Sequence, residues 1–135
     1  MTYEELLITL SDTDPKQAYD ILKENPDHKH KSGYEFIIKK NPWTAYTYAE
    51  KVIKGRFPEA EEYIKNDPEV AYFYATNIIK GRWPEAEEYI KKHPEVAYWY
   101  AKDVIKGRWI EAEEIIKTNP QSASWYAVEV IGDKN

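Results

Sequence analysis

Gly81 to Lys106 reads GRWPEAEEYIKKHPEVAYWYAKDVIK, and Gly55 to Lys80 before it reads GRFPEAEEYIKNDPEVAYFYATNIIK. The two segments agree at 19 of 26 positions. A third copy follows at the same offset, Gly107 to Gly132, as GRWIEAEEIIKTNPQSASWYAVEVIG. A more diverged copy lies upstream over 32–54, where Asn41-Pro42, Ala45, Tyr46, Tyr48, Ala49, Val52 and Ile53 keep the pattern. A fixed short period marks a repeat array whose unit is one supersecondary element.

Each unit reads as two helices. The leading helix opens at Pro58 or Pro84, since proline is pre-set for the first helical position. Its apolar residues are Ala60, Tyr63 and Ile64, with Phe57 just ahead. Glu61 stands four before Lys65, as Glu87 does before Lys91 and Glu113 before Lys117, the favourable order for an ion pair on a helix. The trailing helix opens at Pro42, Pro68, Pro94 or Pro120. Asn41, Asp67 and Asn119 are good N-caps there, and His93 is a weaker one. Ala71, Tyr74, Ala75 and Ile78 fall on one helical stripe, repeated by Ala97, Tyr100, Ala101, Val104 and by Ala123, Tyr126, Ala127, Val130. Gly81 and Gly107 are expected to take the left-handed position that ends a helix.

Upstream the pattern breaks. Thr2 and Glu5 have capping-box spacing, and Tyr3, Leu6, Leu7 and Leu10 repeat the trailing-helix stripe. Asp14-Pro15 opens a leading helix with Ala18, Ile21 and Leu22. A trailing helix should follow Pro26, but DHKHKSG stands there, and Ser32 with Glu35 reads as the cap of the next helix. Pro26 to Ser32 therefore marks one helix lost or collapsed into a turn, where the stack bends or two sub-stacks meet.

The fold class expected is all-α, a short α-solenoid of tandem two-helix repeats. It forms one helical repeat domain over 1–135: diverged helices and a break over 1–31, then repeats at 32–54, 55–80, 81–106 and 107–132. A two-helix unit of this size cannot bury its own stripe, so neighbours bury it jointly.

Composition narrows the function classes. The net charge is −5, whereas a dedicated nucleic-acid binder is normally basic. No cysteine is present, so disulfides, thiol catalysis and thiolate zinc sites are excluded. That fits a reducing, cytoplasmic setting. MTYEELLITL lacks the basic start and unbroken apolar run of a signal peptide, and no stretch is apolar enough to span a membrane.

The unit KGRWPEAEEYIKKHPEVAYWYAKDVIK, Lys80 to Lys106, resembles the short helical repeats found in hypothetical proteins of bacteriophages and other viruses. The resemblance covers Tyr34 to Ile131 closely and the N-terminal part loosely. Ile110, in place of the helix-opening proline, and Pro26–Ser32 depart from it. What it implies is a setting: small phage proteins commonly bind and inhibit host machinery, including anti-phage defences. The implied partner is then a host protein, and the implied location the host cell cytoplasm.

Three periodic surface sets are candidate binding residues. Phe73, Trp99 and Trp125 precede the core tyrosine by one position; they are either a binding stripe, since aromatics dominate interface hot spots, or a second contact between repeats. Arg56, Arg82 and Arg108, each beside an aromatic, could hold phosphates or bases in register; alternatively they complement the negative end of the trailing helix. Glu59, Glu85 and Glu88 form an acidic ridge that suits a basic partner or is simply solvated. Residues 29–54 carry six Lys against two Glu, and residues 1–28 two Lys against seven Asp and Glu. Opposite charge at neighbouring stretches could steer a partner or drive head-to-tail self-association. His28 and His30 lack the spacing of a helical metal site.

No phosphate loop, nucleophile elbow or His-rich metal motif is present in the sequence. The reading is a non-enzymatic protein-binding module with no cofactor, no metal, no membrane contact and no nucleic-acid role. The alternative is a small-molecule or nucleotide binder, or sponge, using aromatic pockets between repeats.

Overall fold

The computed structural model describes residues 2–132, which contain helices and no strand. The chain divides into two compact units, Met1–Ile64 and Lys65–Asn135, where the sequence alone suggested one domain; the boundary falls inside the repeat that begins at Gly55.

The first unit holds α1 (Tyr3–Ser11), α2 (Pro15–Glu24), α3 (Lys31–Ile38), α4 (Pro42–Tyr48) and α5 (Pro58–Ile64). α2 lies against α3 and α4, α1 against α3, and α4 against α5. Its core is Ala18, Leu22, Ile38, Ala45, Tyr48, Ala49, Phe57, Ala60 and Ile64. Asp14 forms a full capping box with Gln17, at 2.8 Å and 2.9 Å. The missing helix after Pro26 is a pair of tight turns, with the His28 amide on the Asn25 carbonyl (3.1 Å) and the Lys31 amide on that of His28 (3.0 Å). Ser32 does not cap α3, which begins at Lys31 without a side-chain cap. Glu35 instead accepts the Tyr48 hydroxyl at 2.7 Å. The Tyr3–Leu10 stripe is not core: α1 contains no buried residue, Tyr3 and Leu7 being exposed and Leu6 and Leu10 only half-buried. Leu10 does touch α3, where Gly33 makes room; a Cβ there would lie 3.0 Å from Leu10 Cδ1.

The second unit holds α6 (Pro68–Tyr74), α7 (Pro84–Ile90), α8 (Pro94–Tyr100), α9 (Ile110–Ile116) and α10 (Pro120–Tyr126). Trailing helices α6, α8 and α10 pack in sequence, and each leading helix lies against the trailing helices before and after it. The shared seam consists of Ala71, Tyr74, Ala75, Ala97, Tyr100 and Ala101, all fully buried, with Trp83 and Trp109 nearly so. The Trp83 ring meets Tyr74 and the Trp109 ring meets Tyr100, each at 5.0 Å. Asp67 and Asn119 cap their helices through Val70 and Ser122; His93 makes no side-chain cap. Ile110 leaves the local geometry unchanged, since Trp109 (φ −121°, ψ 83°) matches Trp83 (φ −124°, ψ 84°).

Every trailing helix continues past its tyrosine as one π-helical segment: Ala49–Ile53, Ala75–Ile79, Ala101–Ile105 and Ala127–Ile131. This wide turn moves the stop signal. The Ala75 carbonyl accepts from both the Lys80 amide (2.7 Å) and the Gly81 amide (3.2 Å), ending the helix at Ile79. The left-handed residue is therefore Lys80, with Lys54 and Lys106 its equivalents, and not Gly81 or Gly107. A Cβ on Gly81 or Gly107 would meet nothing within 4 Å. The strained position carries lysine at a cost of about 1–2 kcal/mol, partly offset because a cation suits the negative end of a helix.

Candidate protein-binding face

The arginines are structural before they are anything else. Arg82 clamps Glu87 with Nε (2.9 Å) and NH2 (2.8 Å), and Arg108 clamps Glu113 in the same way. Arg56 holds Glu61 at 2.8 Å through both nitrogens. The expected Glu–Lys pairs do not form in the second unit: Lys91 turns to Glu88 and Lys117 to Glu114. A planar guanidinium meeting a carboxylate with two parallel bonds is the stronger arrangement.

The two clamps of the second unit each secure a core tyrosine. Tyr100 donates its hydroxyl to Glu87 (2.7 Å) and accepts the buried Trp83 amide (2.7 Å). Tyr126 repeats this with Glu113 (2.6 Å) and Trp109 (2.9 Å). The node ties the loop before a leading helix to the trailing helix of the same repeat. Hydrogen bonds from Arg108 and Tyr126 bring the Glu113 carboxyl down to about 2. Burial alone would raise that of Glu87, yet the bonds from Arg82 and Tyr100 outweigh it and hold it low. Burial, reinforced by the adjacent carboxylate, pushes the Tyr100 and Tyr126 hydroxyls above their usual range.

The Phe73, Trp99 and Trp125 row lies on the opposite side of the trailing helices. Trp99 rests on Tyr72 of the preceding repeat at 5.6 Å, and Trp125 on Tyr98 at 5.7 Å; Phe73 meets Tyr72 at 5.0 Å. The row is thus a second contact between repeats and also a surface. Phe73 and Trp99 are half-buried, and Trp125 is 41% exposed. Beside it runs a polar ladder that sequence reasoning missed. Tyr72 donates to Asp103 and Tyr98 to Glu129, in each case from one repeat to the next. Lys102 lies 3.6 Å from Glu129 and over the Tyr98 ring. Burial and the accepting carboxylates raise both tyrosine hydroxyls. The partners are 31 residues apart; only superposing one period on the next would have paired them.

Glu59 is exposed in the first unit, and Glu85 and Glu88 are exposed on the leading helix α7 of the second. Their equivalents in the next repeat, Glu111 and Glu114, are exposed too. His28 Nδ1 accepts the His30 amide at 2.9 Å, and its ring packs edge-on against Tyr34. Among the described residues no three His, Asp or Glu side chains gather as a metal site.

Among the described residues, no helix is long and apolar enough to cross a membrane. No family model, curated protein or solved structure matches the chain.

Proposed function

We propose that the chain is a non-enzymatic protein-binding repeat module whose recognition face is the Phe73–Trp99–Trp125 row with its polar border. The observation that carries this reading is the state of those rings. They are held in place by ring contacts with the preceding tyrosines while keeping one side in water. Large, rigid aromatics on a fixed scaffold lose little entropy on binding, which is what interface anchors require. Asp103, Lys102 and Glu129 supply the charged margin that surrounds such an anchor.

The likeness to viral repeats makes a host protein the partner of choice, with the exposed Glu85 and Glu88 of the second unit as a secondary contact for a basic surface. The nucleotide-binding alternative is less well supported, because the guanidinium forks of Arg82 and Arg108 already hold carboxylates.

The test is affinity capture from host lysate with the native chain and with Trp125→Ala, both checked for helicity by circular dichroism. A protein retained by the native chain and lost from the folded variant supports the proposal. Identical captures from both, or none, would remove the aromatic row as the binding face.

A further inference from the structure

Three repeats place a guanidinium on the same carboxylate. Arg56 forks Glu61, Arg82 forks Glu87 and Arg108 forks Glu113. Arg82 gives Nε to the Glu87 oxygen that also accepts Tyr100, and NH2 to the other oxygen. The hydrogen bonds to Glu87, with a smaller pull from Glu111 of the following repeat, raise the guanidinium above its usual value. Arg82 therefore lies in the field of two carboxylates, one on its own leading helix and one at the start of the next.

The first unit has both carboxylates without the arginine. Two periods upstream of Glu87, Tyr100 and Glu111 stand Glu35, Tyr48 and Glu59. Tyr48 donates to Glu35 as Tyr100 does to Glu87, at 2.7 Å in both. The arginine position is held by His30, whose ring lies against His28 with 5.7 Å between centroids. Among the described residues the Glu35 carboxylate has only the Tyr48 hydroxyl as partner, on Oε2. Lys39, four residues on, lies over the Phe36 ring instead, 4.5 Å from its centroid. Glu35 and Glu59 line a cavity of about 180 Å³ with Ser32, Phe36, Lys39 and Phe57. This is the gap that Arg82 fills between Glu87 and Glu111. Phe36, 53% exposed, replaces the glutamate that the other repeats have at Glu62, Glu88 and Glu114. Lys40 joins Lys39 over that ring at 4.1 Å, so the ring already draws cations.

We infer that the first unit binds a guanidinium group from outside, the side chain of an arginine or a small guanidino compound, in the cavity between Glu35 and Glu59. The fork meets both Glu35 oxygens, as Arg82 meets those of Glu87, with Phe36 as an apolar wall. A planar guanidinium matches a carboxylate with two parallel bonds and stacks on a ring, whereas an ammonium such as that of Lys39 is a point charge. Neither the aromatic row nor Glu85 and Glu88 takes part, so this site stands or falls separately from the proposed function.

Heteronuclear NMR titration of the full chain with N-acetylarginine amide, at constant ionic strength, tests the inference. N-acetyllysine amide is the equally charged control. The expected result is saturable shifts centred on Ser32, Glu35, Phe36 and Phe57, with the lysine compound binding more weakly. Glu35→Gln keeps an acceptor for Tyr48 and removes the charge, so it should weaken binding about tenfold or more. Should that variant unfold, Glu59→Gln, at an exposed residue of the cavity wall, replaces it and is also expected to weaken binding. A short peptide with one internal arginine separates the two sources. Tighter binding than the amide assigns the guanidinium to a partner protein, and equal binding assigns it to a small compound. Shifts that never saturate, shifts centred on the second unit, equal binding of the lysine compound, or unchanged affinity in the folded cavity variant would overturn the inference.

Discussion

The repeats Gly81–Lys106 and Gly107–Gly132 have nearly the same backbone and quite different surfaces. Both open on a buried tryptophan, clamp a tyrosine with an Arg–Glu pair and finish in a π-helical turn. They differ at the positions that meet neighbours or water. Pro84 becomes Ile110, Tyr98 becomes Ser124, Val96 becomes the buried Ser122, and His93 becomes the capping Asn119. The seam alanines are covered in one and partly bare in the other. The comparison teaches that the tyrosine node sets the shape of a repeat, while the helix-opening residue and the cap adjust its stability.

The largest expected effect tests the seam. Tyr100→Ala should cost about 3–5 kcal/mol, the range for large aromatic truncations in a core. Tyr126→Ala should cost about 1 kcal/mol less or better, since its ring lacks the tryptophan that Tyr100 receives from the following repeat. Equal losses in urea denaturation would mean that the seam adds nothing to the individual repeat. Tyr100→Phe separates the hydroxyl from the ring. It leaves the buried Trp83 amide without an acceptor, for a loss of about 1–3 kcal/mol.

The acid limb of the stability curve probes the clamps. Glu113 has a lowered folded value, so its contribution is full above the ordinary carboxylate range and disappears as pH falls through about 2. Glu113→Gln should therefore be less stable than the native chain near neutrality and converge with it in acid. No gap in melting temperature near neutrality would show the clamp to be energetically silent, and one that stays constant down to pH 2 would show that the loss does not come from the ionised carboxylate.

Two substitutions exchange features between the repeats. His93→Asn supplies the missing cap and should stabilise by about 1 kcal/mol. Ile110→Pro restores the pre-set helix opening at a residue that is 69% exposed. It should add about 0.4–1 kcal/mol, mainly by restricting the unfolded chain. Thermal melts read both; a loss from Ile110→Pro would mean that the isoleucine makes a contact worth more than the restriction.

Much of this architecture was legible in the residues. The period placed the helices, the prolines and Asx caps placed their starts, and the alanine–tyrosine stripe named the core. What escaped followed from geometry that helical neighbour rules do not cover. Glu87 looked committed to Lys91 because i,i+4 pairs are the familiar ones, but Arg82 reaches it from the loop before the helix. The left-handed residue looked like Gly81 because a π-helical exit has no sequence mark separate from an α-helical one. At α1, the stripe was only half covered, Leu6 and Leu10 against α3 with Tyr3 and Leu7 in water, and periodicity alone does not say how much of a face is covered. Among the candidate residues, Trp125, Glu59, Glu85 and Glu88 are exposed and Phe73 and Trp99 half-buried, while the arginines hold carboxylates of the fold.

The wide turn at the end of each trailing helix has a consequence for how such a chain tolerates insertions and deletions. Lys106 closes on Ala101 across five residues where an α-helix would use four. Removing one residue between them lets the turn tighten to ordinary winding, and whatever follows keeps its phase. The same deletion within α8 would swing every later side chain about 100° around the axis, turning the seam outward. Each repeat thus carries one link of slack, stored at the one place where losing it leaves the register intact.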